Sequence, residues 1–281
     1  MRTILIPTDF SENARHAIKY ALDLYKCEKS RFYFLHAYAD EVYGPFTSDE
    51  NKDLEDEVKK VKHVTEEKLT KLIDEVSSVP PNPRHTYTIV SAFESLVDAV
   101  NDTVNELNID LVIMGTKGKT DDKNVTFGSH TVQVFKYVQC PVLAIPFEAE
   151  FKHPRKILFP TDYMLPYKRR ELKLLNELCR DFKSEVHCLY ISDYKNLSHR
   201  QLDNKSFLTE SLPDAYLYFE RTAVENKSNS IREYIKDNDT DFLVMVNSRH
   251  SYLEDLLYRS TVDEIGLSTK IPFLVMQNLP R

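Results

Sequence analysis

Three of the chain's five glycines, Gly115, Gly118 and Gly128, fall in one short stretch, "MGTKGKTDDKNVTFGSHT". With Ser129 after the last, the spacing is G-x2-G-x9-G-S. Glycine takes backbone conformations closed to other residues and lets main-chain N–H groups come close to a ligand. Lys117, Lys119 and Lys123 add cations to a chain whose net charge is −7. The segment "FGSHTVQVFKYV" reads as a helix starting where the loop ends, with Val132, Phe135 and Val138 on one face. A helix N-terminus offers free N–H groups and partial positive charge, so it attracts anions. Together these residues make a cradle for a phosphate chain.

Two other glycine loops fail on spacing. A P-loop, G-x-x-x-x-G-K-[ST], could end on Gly118-Lys119-Thr120, but its first glycine would fall at Ile113, inside an apolar strand. The dinucleotide fingerprint G-x-G-x-x-G fails as well, because Gly115 and Gly118 are three apart with no suitable glycine after them.

The elements that must position this loop alternate. "TILIP" reads as a buried strand, followed by a helix with Ala14, Ala17, Ile18, Ala21, Leu22 and Tyr25 on one face, capped by Ser11 or Asp9. "RFYFLHAY" and "HTYTIVSA" read as strands, "VTEEKLTKLIDEV" and "SLVDAVNDTVNEL" as helices, and "DLVIMG" and "PVLAIP" as the last two strands. Strict alternation with apolar strands predicts a doubly wound α/β fold, a parallel sheet flanked by helices. Ligands of such sheets bind beyond the C-terminal strand ends, which is where the glycine loop begins.

The chain then repeats itself. "ILIPTDF" at Ile4 returns as "ILFPTDY" at Ile157, 153 residues on; "DLVIMGTKGK" at Asp110 and "CPVLAIP" at Cys140 return 131 residues on, at Asp241 and Ile271. Two tandem five-stranded domains are expected, 1–148 and 154–281, joined through the polar "FEAEFKHPRK". The extra 22 residues of the first copy fall around "DEVYGPFTSDENKDLEDEVKK", read as a surface insertion leading into a solvated helix. In the second copy the glycine loop decays: Asn247 and His250 replace Gly115 and Gly118, and the third glycine corresponds to about Arg259, before Ser260 and Thr261. Loss of the phosphate site follows, or a changed anion site using Arg249, His250 or Arg259.

Composition fits a globular chain of two ordinary domains, 42% hydrophobic and 29% charged. Its acidic balance, with pI about 5.8, argues against a coat for nucleic acid or anionic membranes. No apolar run approaches a membrane span, and the N-terminus reads as a strand, so a cytoplasmic protein is expected. Cys27, Cys140, Cys179 and Cys188 form neither Cys-x-x-Cys pairs nor zinc spacing and read as free thiols.

These motifs resemble the universal stress protein family in its tandem form. The glycine signature, the opening "ILIPTDFSENARHAIKYA", "FLHAY" and "CPVLAIP" carry the resemblance, which spans the chain once per copy. It implies a Rossmann-like fold and an ATP pocket, with Mg²⁺ as an accompanying ion, in the first copy. Asp9 would face adenine or ribose, with Pro7 and Thr8 lining that side. Ala37 would offer backbone to the adenine edge, and Met114 and Gly115 would border the ribose. Gly118, Gly128, Ser129 and Thr131 would hold phosphate, with Lys117 and His130 beside them. Other readings stay open: Asp9 as a helix cap, His36 as a packed side chain, His130 as an exposed first-turn residue.

No nucleophile–base pair, metal cluster or nucleophile elbow is present in the sequence. The leading expectation is an ATP-binding stress-response or signalling module with little or no catalysis. The alternatives are a slow ATP hydrolase or nucleotidyl-transfer enzyme, and a scaffold that binds no nucleotide. The resemblance also implies an intramolecular pseudo-dimer through the last strands. A further homodimer and an unidentified protein partner are compatible with it.

Overall fold

The computed structural model describes residues 1–46, 53–78, 81–118, 127–223, 226–248, 253 and 269–278. The chain divides into two units, Met1–Asp121 with Gly128–Val142, and Asp122–Phe127 with Leu143–Arg281.

In the first unit the order is β1 (Arg2–Pro7), α1 (Glu12–Leu24), β2 (Ser30–Ala37), α2 (Ala39–Phe46), α3 (Leu54–Ser78), β3 (His85–Ala92), α4 (Leu96–Leu107), β4 (Leu111–Gly115) and α5 (Ser129–Tyr137). The strands lie side by side as β3-β2-β1-β4. All pairs are parallel, with Pro7 opposite Leu35, Ala37 opposite Ala92 and Ile4 opposite Leu111. β5 (Val142–Ile145) spans the division between the units.

The second unit continues with β6 (Lys156–Thr161), α6 (Arg169–Phe182), β7 (Glu185–Ile191), α7 (His199–Ser211), β8 (Tyr216–Thr222), α8 (Lys227–Asp237), β9 (Phe242–Asn247) and β10 (Phe273–Gln277). Its strands lie as β10-β9-β6-β7-β8, again parallel. This is the α/β class expected from the alternation of elements.

Central strands are apolar because both faces are covered. Ile4, Leu5 and Ile6 of β1, and Ile157, Leu158 and Phe159 of β6, are almost wholly removed from solvent. Burying each such side chain contributes about 1.5–3 kcal/mol. The three buried cysteines, Cys140, Cys179 and Cys188, belong to these cores, and burial pushes their thiols up, those of Cys179 and Cys188 to about 12.

The repeat survives at the level of single hydrogen bonds. Thr3 N–H donates to Asp110 Oδ2 at 2.8 Å, and Lys156 N–H to Asp241 Oδ2 at 3.1 Å. Val112 N–H donates to the Pro141 carbonyl at 2.9 Å, and Leu243 N–H to the Pro272 carbonyl at 3.0 Å. After each Pro-Thr-Asp the next residue has left-handed backbone, Phe10 at φ 61° and Tyr163 at φ 55°. Their N–H groups donate to the threonine hydroxyls, Thr8 at 3.0 Å and Thr161 at 2.9 Å. A non-glycine residue in that region costs roughly 1–2 kcal/mol, which this bond helps to offset.

Two elements differ from expectation. α3 starts at Leu54, about ten residues before the apolar period that announces it. The preceding segment contains α2, whose Gly44-Pro45 reads in sequence as a turn. Buried Val42 docks α2, and its first N–H groups reach back to the Tyr38 carbonyl.

Candidate functional site

In the first unit the strand order reverses at β1, which has β2 on one side and β4 on the other. A crevice beyond the C-terminal ends of these strands follows from that reversal. A cavity of about 120 Å³ lies there. That is several times the roughly 10–15 Å³ one water requires.

Of the residues singled out in sequence, Pro7, Thr8, Asp9, Ala37, Met114, Gly115, Lys117, Gly118, His130 and Thr131 line this cavity. Gly128 and Ser129 do not. Gly128 is the N-cap of α5, and its N–H donates to the Thr116 carbonyl at 2.8 Å. Its φ is −65°, and no described glycine has positive φ, so left-handed backbone is not what these glycines supply. Thr131, buried at the start of α5, donates its hydroxyl to the Thr116 carbonyl at 3.0 Å. That bond fixes the helix start against the end of β4. The first-turn N–H groups of α5 lack an i−4 carbonyl within the helix, as at every helix start. Lys119 and Lys123 lie outside the described residues, as do Arg249, His250, Arg259, Ser260 and Thr261 of the second copy.

Asp9 is not the cap of α1. Ser11 fills that role, accepting from Ala14 N–H at 3.2 Å, while Asp9 Oδ1 accepts from Ser11 N–H at 3.0 Å. Asp9 therefore braces the turn that carries it along the cavity wall.

Residues that the motif does not name complete the site. Ala14, His36, Asp40 and Leu96 also face the cavity. Asn13 sits on Gly115 and donates Nδ2–H to the Lys117 carbonyl at 2.7 Å, tying the head of α1 to the glycine loop. The small side chains of Gly115 and Ala14 leave the room; Asn13 holds the loop at that distance. In sequence Asn13 reads only as a polar residue in a first helical turn.

In the second unit a tyrosine packs against the corresponding Pro-Thr-Asp turn. At the 153-residue offset Ala14 corresponds to Tyr167, and Tyr167 is buried with its hydroxyl bonded to Thr161 Oγ1. Thr161 is the counterpart of Thr8. Burial pushes the Tyr167 phenol above its ordinary range. α6 begins at Arg169, where the offset would place the start at residue 165, so a helical turn is lost and the tyrosine turns inward. Gln201 and Asn204 of α7 donate to the carbonyls of Asp162 and Tyr163 at 2.8 and 2.7 Å, closing the turn further.

Among the described residues, no group of three or more His, Cys, Asp or Glu side chains is arranged to hold a metal ion. No described helix is long and apolar enough to cross a membrane.

Comparison with known proteins agrees with this geometry. The profile of the universal stress protein family matches residues 1–146. Universal stress protein MJ0577 of Methanocaldococcus jannaschii is 27% identical over 156 residues, 51% of this chain and 94% of that protein. Universal stress protein MJ0531 of the same organism is 29% identical over 168 residues, 55% of this chain and 84% of that protein. The crystal structure of a universal stress protein from Archaeoglobus fulgidus is similar in fold across 99% of this chain and 98% of that one, with TM-score 0.69 at 14% identity.

Proposed function

Because the chain belongs to the universal stress protein family, we propose that its first copy, residues 1–148, binds one adenine nucleotide, ATP with Mg²⁺, as a stress-response or signalling module. The observation that carries this is the open crevice over Thr8 and Ala14, lined by the residues singled out in sequence; in the second copy the Tyr167 phenol bonds to Thr161, the counterpart of Thr8.

The residues fit such a ligand. Pro7, Ala37, Leu96 and Met114 offer an apolar wall for a base, and Ala37 brings backbone to its edge. Asp9 faces the sugar side. Lys117, Gly118, His130 and the α5 N-terminus form the end suited to phosphate, where negative charge meets N–H groups and cations. Among the described residues of this wall none is arranged as a nucleophile with its base; on this reading the ligand acts by being bound, with little or no turnover.

On the same reading the second copy, 154–281, keeps the fold and has given up the nucleotide. The chain acts in the cytoplasm, presenting a nucleotide-dependent surface to a protein partner. The test is to denature the purified protein and identify what is released. An adenine nucleotide near one per chain supports the proposal. If no nucleotide is released and none binds on addition, the non-nucleotide scaffold takes its place.

A further inference from the structure

His36 is 4% exposed and lines the cavity from the end of β2. Both of its ring nitrogens face oxygen acceptors. Nδ1 is 2.6 Å from the Thr8 carbonyl oxygen, and Nε2 is 2.9 Å from Glu41 Oε1. A carbonyl oxygen can only accept, and so can an ionised carboxylate. A neutral imidazole has one N–H and can serve only one of the two. The imidazolium form serves both, and its bond to Glu41 is then charge-assisted.

Charged groups of both signs surround the ring. Glu41 and Asp40 come from α2, and Asp9 from the turn after β1, with Asp9 and Asp40 lining the same cavity. On the β3 side His36 is paired in register with Ser91, which donates to Glu66 of α3 at 3.0 Å. Basic groups stand among them: Lys68 of α3 lies over the Phe10 ring, which packs on His36 with centroids 4.8 Å apart, Lys117 and His130 line the same cavity, and Lys62 lies 3.9 Å from Glu66.

We infer that a proton on His36 fastens the first turn of α2 to the cavity, so that ligand affinity in the first copy depends on pH. Glu41 is in the first turn of α2, and its neighbour Asp40 lines the cavity. When His36 gives up the Nε2 proton, a lone pair and a carboxylate oxygen face each other at hydrogen-bond distance. Glu41 then leaves, the first turn of α2 loosens, and the wall that includes Asp40 loses its place. The same step removes a cation from beneath the site. Nδ1–H stays on the Thr8 carbonyl, so the Pro-Thr-Asp turn persists. α2 lies in the segment that lengthens the first copy relative to the second, and the geometry assigns that segment a role at the cavity rather than on the surface alone. The proton half of this inference rests on the geometry of His36; the ligand half rests on the nucleotide reading above.

The experiment uses the full chain and its Glu41→Gln variant. An amide at position 41 can donate to a neutral imidazole Nε2, so the bond survives without the extra proton. Mg-ATP affinity is measured between about pH 5 and 8, the range in which imidazole ordinarily changes charge. In the native chain affinity falls with rising pH, by about fivefold or more beyond any change in the variant, the low end of typical site-to-site coupling. The titration of the nucleotide's own phosphates is common to both proteins and cancels in the comparison. Superimposable profiles for the two proteins overturn the inference. In parallel, imidazole ¹⁵N spectra without nucleotide should show both His36 nitrogens protonated in the native chain at low pH. Amide exchange in α2 should quicken as that signal is lost. A neutral His36 throughout, or α2 exchange with the same pH dependence in the variant, contradicts it. If no nucleotide binds at any pH, the functional reading fails, and these two measurements still decide the proton.

Discussion

A Cβ atom built on Gly115 would lie 2.9 Å from both Cγ and Nδ2 of Asn13. Glycine is required there because the α1 head packs on the end of β4, and the contact sets the distance between helix and loop. Gly115→Ala should push Asn13 aside and break its bond to the Lys117 carbonyl. Overpacking of this kind costs about 1–3 kcal/mol. Thermal unfolding and nucleotide titration of the variant should both show the loss. A normal melting curve with normal binding would mean that Asn13 yields freely and does not position the loop.

Ala14 and Tyr167 are separated by the 153-residue offset of the Pro-Thr-Asp repeat. Ala14→Tyr should fill the first crevice as the second is filled and abolish nucleotide binding. Circular dichroism should show the secondary structure intact, and calorimetry should show no heat of binding. Undiminished affinity would place the ligand elsewhere.

Tyr167→Ala should leave a void in the second copy. Removing a buried aromatic ring costs about 3–5 kcal/mol, so the urea midpoint of the second copy should fall clearly. If the midpoint is unchanged, the ring is not part of the core and the crevice is not filled by it.

Glu171 predicts a pH effect on stability. It is 3% exposed, and among the described residues neither carboxylate oxygen has a hydrogen-bond partner. Burial pushes its carboxyl up to about 7 from 4.5. The folded state therefore keeps its proton where the unfolded chain releases it, and stability falls as pH rises through the interval from about 4.5 to 7. The full difference is on the order of 3 kcal/mol and is present above the upper end. Glu171→Gln should flatten the dependence and raise the urea midpoint of the second copy at pH 8 with little change at pH 4. Parallel pH profiles for the two proteins would show that Glu171 is ionised without cost.

Much of this was legible in sequence. Ile4–Phe10 and Ile157–Tyr163 mark the repeat, and their shared left-handed residue is a physical reason for the shared motif. The central strands, being short apolar runs, declare themselves; β8, mostly exposed, does not. α2 did not, because a Gly-Pro pair near its end has the signature of a turn, while the contact that docks Val42 is tertiary. Gly115 was marked for backbone freedom, but its φ is ordinary and the contact with Asn13 explains it. Nothing local in "SENA" signals a packing partner about a hundred residues away. Tyr167 could have been found by comparing helix starts across the repeat, since an alanine replaced by tyrosine beside a kept Pro-Thr-Asp signals a change of packing there.

The proposed function requires one nucleotide per chain, held in the first copy. Calorimetric titration of the full chain with Mg-ATP, alongside Gly118→Val, tests it most directly. Gly118 lines the cavity, and valine adds a branched side chain where a ligand must approach the backbone. The account predicts a single site per chain that Gly118→Val abolishes while the melting curve of the unliganded protein stays close to native. Two sites of similar affinity per chain, or a single site indifferent to Gly118→Val, would contradict it.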